Sequence, residues 1–348
     1  LPAMIPVLEA VPNFSEGRDP TVIDALVTAI ESHDVEVLDA SMDPDHHRSV
    51  ITFIGHPAAV EGALVAAAEV AIERIDLRSH EGAHPRVGAI DVCPVVPMHG
   101  LEMSDAVESA RRVGEQIAEL GVPVFWYGES AEEPGRGLAP LRAGGFEAFA
   151  GGWPDDRVPD LTAGRIAAHP TAGITCVGAR PVLLAWNAWV EGVDRDAVAD
   201  LAGRIRERNG GIPGLRALAL ELPRQAGLQL SMNLEGVHAR DPFDVFLLIE
   251  GELEALGGRI ARTEVIGMIP DTLVFPAATN RLRLSEPDPA RMLAARVQRY
   301  ARERTERDLQ TVVDWVLGAG SEVPAEIRDA ARLLAGRATP TTSPGEEA

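Results

Sequence analysis

The chain of 348 residues contains no lysine, and all 32 of its basic residues are arginine. That absence excludes Schiff-base chemistry on a lysine and any Walker-type phosphate loop, which requires one. An anionic ligand must therefore be met by arginine, histidine or backbone amides. Cysteine is nearly absent too. Cys93 and Cys176 stand in apolar or small-residue surroundings without metal-ligand spacing, which excludes a disulfide scaffold and a zinc ribbon. Positive charge is scarce: 53 acidic residues give a formal net charge of −21, which argues against nucleic acid and anionic membrane as partners. No apolar run is long enough to span a bilayer, and no Gly-x-Ser-x-Gly elbow supports serine hydrolase chemistry. Leu-Pro-Ala ahead of Met4 reads as a cloning remnant, and no basic, apolar leader follows it, so a cytoplasmic protein is expected.

What is present suits a soluble globular protein: 46% of residues are hydrophobic and 24% charged. The length predicts two compact parts. The stretch 5–14 reads as a strand and 19–33 as a helix behind an Asp-Pro start. "VEVLDA" and "RSVITFIG" follow as strands, then an alanine-rich helix over 57–75. A buried strand, "VGAIDVCPVVP", a helix over 104–119 and a strand, "VPVFWYG", complete the first half. Residues 128–170 lose periodicity and read as a long connection with a short helical turn. The second half restarts as strand 181–190, a helix from Asp194, strands "LRALALEL" and "LQLSMNL", a helix over 242–256 and a strand from Arg259. That β-α-β-β-α-β order matches the ferredoxin-like motif and echoes the start of the first half. The expected class is α/β (α+β), with two subdomains, each an open mixed sheet with helices packed on it. The boundaries expected are 4–180, 181–325, and 326–348 for a helix end and a disordered tail.

Polar residues concentrate in a few places. "RSHEGAHPRVGA" carries His80 and His84 four apart, but Gly82 lies between them and Pro85 disfavours a helical His84, so a one-face metal pair fails. A catalytic loop and a plain polar turn both remain open. "DASMDPDHHRSV" gathers Asp43, Asp45, His46, His47 and Arg48 between two strands, either as a site or as a solvated hairpin loop. "AAHPTAGITCVGAR" combines His169, two threonines and two glycines before Arg180, and presents amides to an anion or serves as a hinge. "PNFSEG" adds Asn13, Ser15 and Glu16 at a strand end, where open α/β sheets bind ligands. Histidine is the best acid–base candidate.

Taken in order, "VPNFSEGR", "VLDASMDPDHHRSVITFIG", "IDLRSHEGAHPRVGAIDVCPVVP", "VPVFWYGE", "HPTAGITCVGAR", "GGIPGLRALALEL", "LQLSMNL" and "VIGMIP" resemble the glutamate formimidoyltransferase family over about residues 5–320. The "HPR-x-GA-x-DVCP" block is the most specific part. No cyclodeaminase domain follows, so the resemblance is to the stand-alone form. It implies transfer of a formimidoyl group from N-formimidoyl-L-glutamate to tetrahydrofolate as co-substrate, two subdomains with folate between them, and a homodimer. It implies His84 as the catalytic histidine and a folate-contacting stretch through Ala168, His169, Thr171, Ala172, Gly173, Ile174, Thr175 and Gly178. From their chemistry and position, Asn13, Asp43, His47, Arg48, His80, Arg86 and Arg180 are expected to bind substrate, with small molecules as the partners and no metal. Animal members carry glutamate before that histidine, where this chain has Ala83. Competing expectations are a folate-dependent transferase with another donor, a non-catalytic folate-binding protein and a metal-dependent hydrolase.

Overall fold

The computed structural model describes residues 6–82, 86–133, 136–222, 227–236, 241–269, 271–282, 307, 309–319 and 323–336. Pro6–Ala277 form one compact unit, and the residues from Ala278 onward belong to another.

The first strand is broken. Pro12 has no N–H to donate, so the predicted strand over 5–14 splits into β1 (Leu8–Ala10) and β2 (Asn13–Phe14). Both pair antiparallel with β4 (Arg48–Gly55) on one side and β5 (Ile90–Pro97) on the other. β3 (Val35–Asp43) lies outside β4. Beyond β5 the sheet turns parallel through β7 (Thr175–Ala179) to β6 (Val124–Trp126). β7 was not foreseen as a strand. Its residues TCVGA are small and lack a β-branched run, and the sheet takes them because every one is buried.

Helices α1 (Pro20–Glu31), α2 (Pro57–Arg74) and α3 (Met103–Glu119) pack side by side, with α3 against β5 and β7. α1 starts where Asp19 accepts the Thr21 N–H and Pro20 needs no partner. Ala106, Ala110, Val113, Gly114 and Ile117 form the buried face of α3, at the spacing a helix requires. In the 128–170 connection, α4 (Leu138–Leu141) and a 3-10 turn, Phe146–Phe149, bring Phe149 edge-on to Phe125 with centroids 5.8 Å apart.

The second sheet is wholly antiparallel and runs β11 (Arg259–Ile266), β8 (Leu183–Glu191), β10 (Gly227–Glu235), β9 (Leu215–Leu222). α5 (Arg195–Ile205) packs on β9 and α6 (Pro242–Ala255) on β11. Numbering strands within each half, both sheets place the fourth beside the first, then the third, then the second. The ferredoxin-like echo read from the sequence is thus a match in strand order. Two apolar cores result, one from Leu8 to Ala179 and one from Leu184 to Leu253. In the other unit, helical residues 309–318 and Ala325–Gly336 surround Val313, Val316, Val323 and Ala331. The expected tail over 337–348 lies outside the described residues.

Candidate active site

The β3–β4 hairpin closes on the pair Asp43 and Arg48. Its turn is built by Asp43, whose Oδ1 accepts the amides of Asp45 and His46 at 2.8 Å each. Burial pushes the Asp43 carboxyl up, but hydrogen bonds and charge from His46, whose Nδ1 lies 3.2 Å away, hold it below its ordinary value. His47 takes a left-handed backbone, φ 50°, which throws its ring inward. That ring stacks on His80 with centroids 4.2 Å apart and planes 9° from parallel. Its Nε2 lies 3.3 Å from Glu16 and its Nδ1 3.1 Å from the Glu81 carbonyl. Glu16 in turn accepts the amides of Gly17, Arg18 and Asp19, fixing the entry to α1. Arg18 ties both loops together by donating to the carbonyls of Pro44 and Glu81 at 3.2 and 2.6 Å.

His80 is buried, and that burial drives its pKa down to about 4, so it is neutral at pH 7. Its Nε2–H donates to the His47 carbonyl at 2.8 Å, and its Nδ1 has no hydrogen-bond partner among the described residues. Gly82 is packed so tightly that a Cβ would meet the His46 carbonyl oxygen at 2.3 Å. Residues 83–85, and with them the expected catalytic His84, lie outside the described residues. The chain resumes at Arg86, which donates to Glu147 at 2.8 Å and to the His80 carbonyl at 3.2 Å. Arg86 is thus already ion-paired.

Asp91 anchors the far side. It is 1% exposed. Its Oδ1 accepts the amides of Val87 and Gly88 at 2.7 and 3.3 Å, while its Oδ2 meets Arg48 at 3.3 Å and Arg142 at 3.0 Å. Arg48 also grips the Asn13 side-chain oxygen through Nε and Nη2, at 3.1 and 2.6 Å. Burial lowers the Arg48 pKa to about 10, with Asp91 opposing the shift, and the guanidinium stays charged near neutrality.

The expected folate stretch divides in two. Ala172–Ala179 are buried throughout, and Gly178 packs on Tyr127, so Ile174, Thr175 and Gly178 lie inside the sheet. The amides near its middle are spent internally: Ala172 donates to His169 Nδ1 at 3.0 Å, Gly173 to the His169 carbonyl and Ile174 to the Val87 carbonyl. These three amides are therefore engaged within the described residues. Ala168 and Pro170, with Phe146, Ile166, Arg78 and Arg165, instead border an open groove of about 610 Å³. Arg180 is not brought to the cluster. Its amide bonds the Val95 carbonyl, four residues along β5 from Asp91, which is about 13 Å at strand rise.

Of the residues expected from the sequence, Asn13, Asp43, His47, Arg48, His80 and Arg86 come together, and Arg180 stands apart. Asp91, Arg142 and Glu147 were missed. Asp91 is hidden inside an apolar strand, and the other two lie in the aperiodic connection; a charge within "GAIDVCP" is the one signal that pointed there. Among the described residues no group of three or more His, Cys, Asp or Glu can hold a metal ion, and no helix is long and apolar enough to cross a membrane.

Residues 7–180 match the family described as "Formiminotransferase domain, N-terminal subdomain". A protein of Streptococcus pyogenes serotype M1 named glutamate formimidoyltransferase is 36% identical over 293 residues, 82% of this chain and 96% of that protein. One of the same name from Thermoplasma acidophilum is 33% identical over 305 residues, covering 85% and 98%. The formimidoyltransferase-cyclodeaminase of Sus scrofa is 36% identical over 285 residues, 79% of this chain but 52% of that longer protein. With relatives aligned nearly end to end and half its length matched by the family's domain, the chain belongs to the glutamate formimidoyltransferase family of enzymes.

Proposed function

We propose that the chain moves the formimidoyl group from N-formimidoyl-L-glutamate to tetrahydrofolate, giving 5-formimidoyltetrahydrofolate and L-glutamate. The observation that carries this reading is the frame around the His-Pro-Arg segment. Gly82 is wedged against His46 and His47 on one side, and Val87 and Gly88 are clamped by Asp91 on the other. In this chemistry the folate 5-nitrogen attacks the amidinium carbon and forms a new C–N bond. The attacking nitrogen then loses a proton, the glutamate nitrogen gains one, and the old C–N bond breaks. We assign both proton transfers to His84, a residue type that titrates near neutrality. His80, neutral and stacked on His47, positions the loop and does not carry the proton.

Asp43 and Glu16 supply negative charge for the cationic amidine, and Asn13 and Arg48 face the donor. Arg86 is assigned to anion binding at the cluster, by exchanging Glu147 for substrate, and Arg180, which stands apart, to a second anionic group of the substrates. The folate lies along Ala168, His169 and Thr171, with Ala172, Gly173, Ile174, Thr175 and Gly178 supporting that stretch from the sheet. The groove beside Ala168 has the size of a small-molecule site. The same reading takes 4–180 and 181–325 as the two subdomains, a homodimer as the assembly, the cytoplasm as the compartment and no metal ion. It is tested by an anaerobic assay with both substrates, following acid conversion of the product to methenyltetrahydrofolate. Turnover in the wild type that falls roughly 100-fold or more in His84→Ala supports it. A wild type that binds folate without turnover of this donor overturns it.

A further inference from the structure

Asp91 offers one negative charge to two guanidiniums, and both take the same oxygen, Oδ2. Among the described residues, Arg142 has no other ion-pair partner and its buried Nε has no hydrogen-bond partner. Arg142 spends only Nη1 on Asp91, so the rest of its guanidinium fork has capacity for a second carboxylate. The Arg142 side chain is 14% exposed, so the guanidinium is held in place but not sealed off. Its position is set twice, by Asp91 and by the turn in which the Arg142 amide bonds Leu138 and its carbonyl receives Gly145. Asp91 is also the residue that fixes the Val87 and Gly88 amides, so a group held by Arg142 sits beside the same carboxylate that anchors the start of the buried strand β5.

We infer that Arg142 is a donor-anchoring residue, whose guanidinium, set beside Arg48 on the shared Asp91 carboxylate, takes one carboxylate of the formimidoyl donor. This rests on the formimidoyl-transfer reading and adds to it a specificity-determining residue. A planar guanidinium prefers a carboxylate over its neutral amide because the charge-assisted bonds are lost on amidation.

The test compares three donors at saturating tetrahydrofolate: N-formimidoyl-L-glutamate and its two monoamides, at the α- and at the γ-carboxyl. In the wild type, the diacid is expected to exceed one of the monoamides in kcat/KM by roughly 10- to 100-fold. Arg142→Gln should raise the diacid KM by a similar factor and abolish the preference over that monoamide, with the tetrahydrofolate KM unmoved. A variant that keeps both the donor KM and the preference overturns the inference while leaving the reaction intact. A wild type that turns over none of the three overturns the reaction, and the inference with it. Should the glutamine variant fail to fold by circular dichroism, Arg142→Lys keeps the charge but loses the fork. It should raise the donor KM alone, and an unmoved donor KM overturns the inference.

Discussion

Replacing Asp91 with alanine leaves two partly buried arginines facing each other without their shared counter-charge. Removing one partner of a buried ion pair costs roughly 3–5 kcal/mol. Arg48 and Arg142 keep 17% and 14% side-chain exposure, so water relieves part of that penalty and the lower end applies. The Val87 and Gly88 amides lose their acceptor as well, which adds about 1–2 kcal/mol. The total, about 4–5 kcal/mol, is a large share of the roughly 5–15 kcal/mol that holds a typical domain together. Asp91→Asn retains an acceptor for the amides but turns a donating NH2 toward Arg48 and Arg142, losing the charge and both arginine bonds, so about 3 kcal/mol is expected. Urea unfolding followed by far-ultraviolet circular dichroism should rank wild type, Asp91→Asn and Asp91→Ala in that order of midpoint. An alanine variant within about 1 kcal/mol of wild type would refute the account of Asp91 as the charge centre of the site. Asparagine matching wild type while alanine falls would show that the amide bonds matter and the charge does not.

Other outcomes follow from the same geometry. His80 has a folded pKa of about 4 against an ordinary 6.5, so the unfolded chain binds the proton first. Its stabilising contribution is complete above pH 6.5 and is lost as pH falls toward 4, by about 2 kcal/mol once partial hydration is allowed for. His80→Phe keeps the ring stack and removes the titration, so the wild type should lose that much stability relative to it between pH 7 and 4.5; parallel curves would contradict the burial of His80. Gly173 combines φ 70° with a would-be Cβ 2.0 Å from the Val87 oxygen, so Gly173→Ala should cost at least about 3 kcal/mol by thermal melting, and a wild-type melt would refute the close approach. In Gly114→Ala the new methyl would lie 2.2 Å from the Trp126 ring, which predicts a loss of about 1–3 kcal/mol in urea unfolding; an unchanged midpoint would mean that α3 does not press on β6.

How much of this was legible beforehand depended on whether the signal was local. The alanine-rich helix Pro57–Arg74, announced by a Pro at its first position, was placed within a residue. The hairpin around Asp43–Arg48 was one open reading because a short polar stretch there joins two strand patterns, and the structure builds its turn on Asp43. β7 was not readable, because Thr175–Ala179 are a strand only through burial between two others. The site divided likewise. His47, His80 and Arg48 were found because polar residues cluster along the chain there. Asp91 pairs with Arg142 across 51 positions, and nothing local links them. Arg86 was expected at the site from its motif, but its ion pair with Glu147, 61 positions on, has no local signal either.

The place of β7 between β5 and β6 sets the order in which the first sheet can be finished during synthesis. β6 leaves the ribosome well before β7, its strand partner, and until then is held by α3 and by the bridge from Val124 to Leu161. Until Thr175–Ala179 arrive, the apolar edge of β5, "IDVCPVVP", stays open to pairing with any other strand. A chain released after Trp126 but before Thr175 therefore carries an unprotected hydrophobic edge. Such fragments should aggregate, whereas those extending past Ala179 should stay in solution. The small, unassuming residues of β7 act as the sheet's closing stitch.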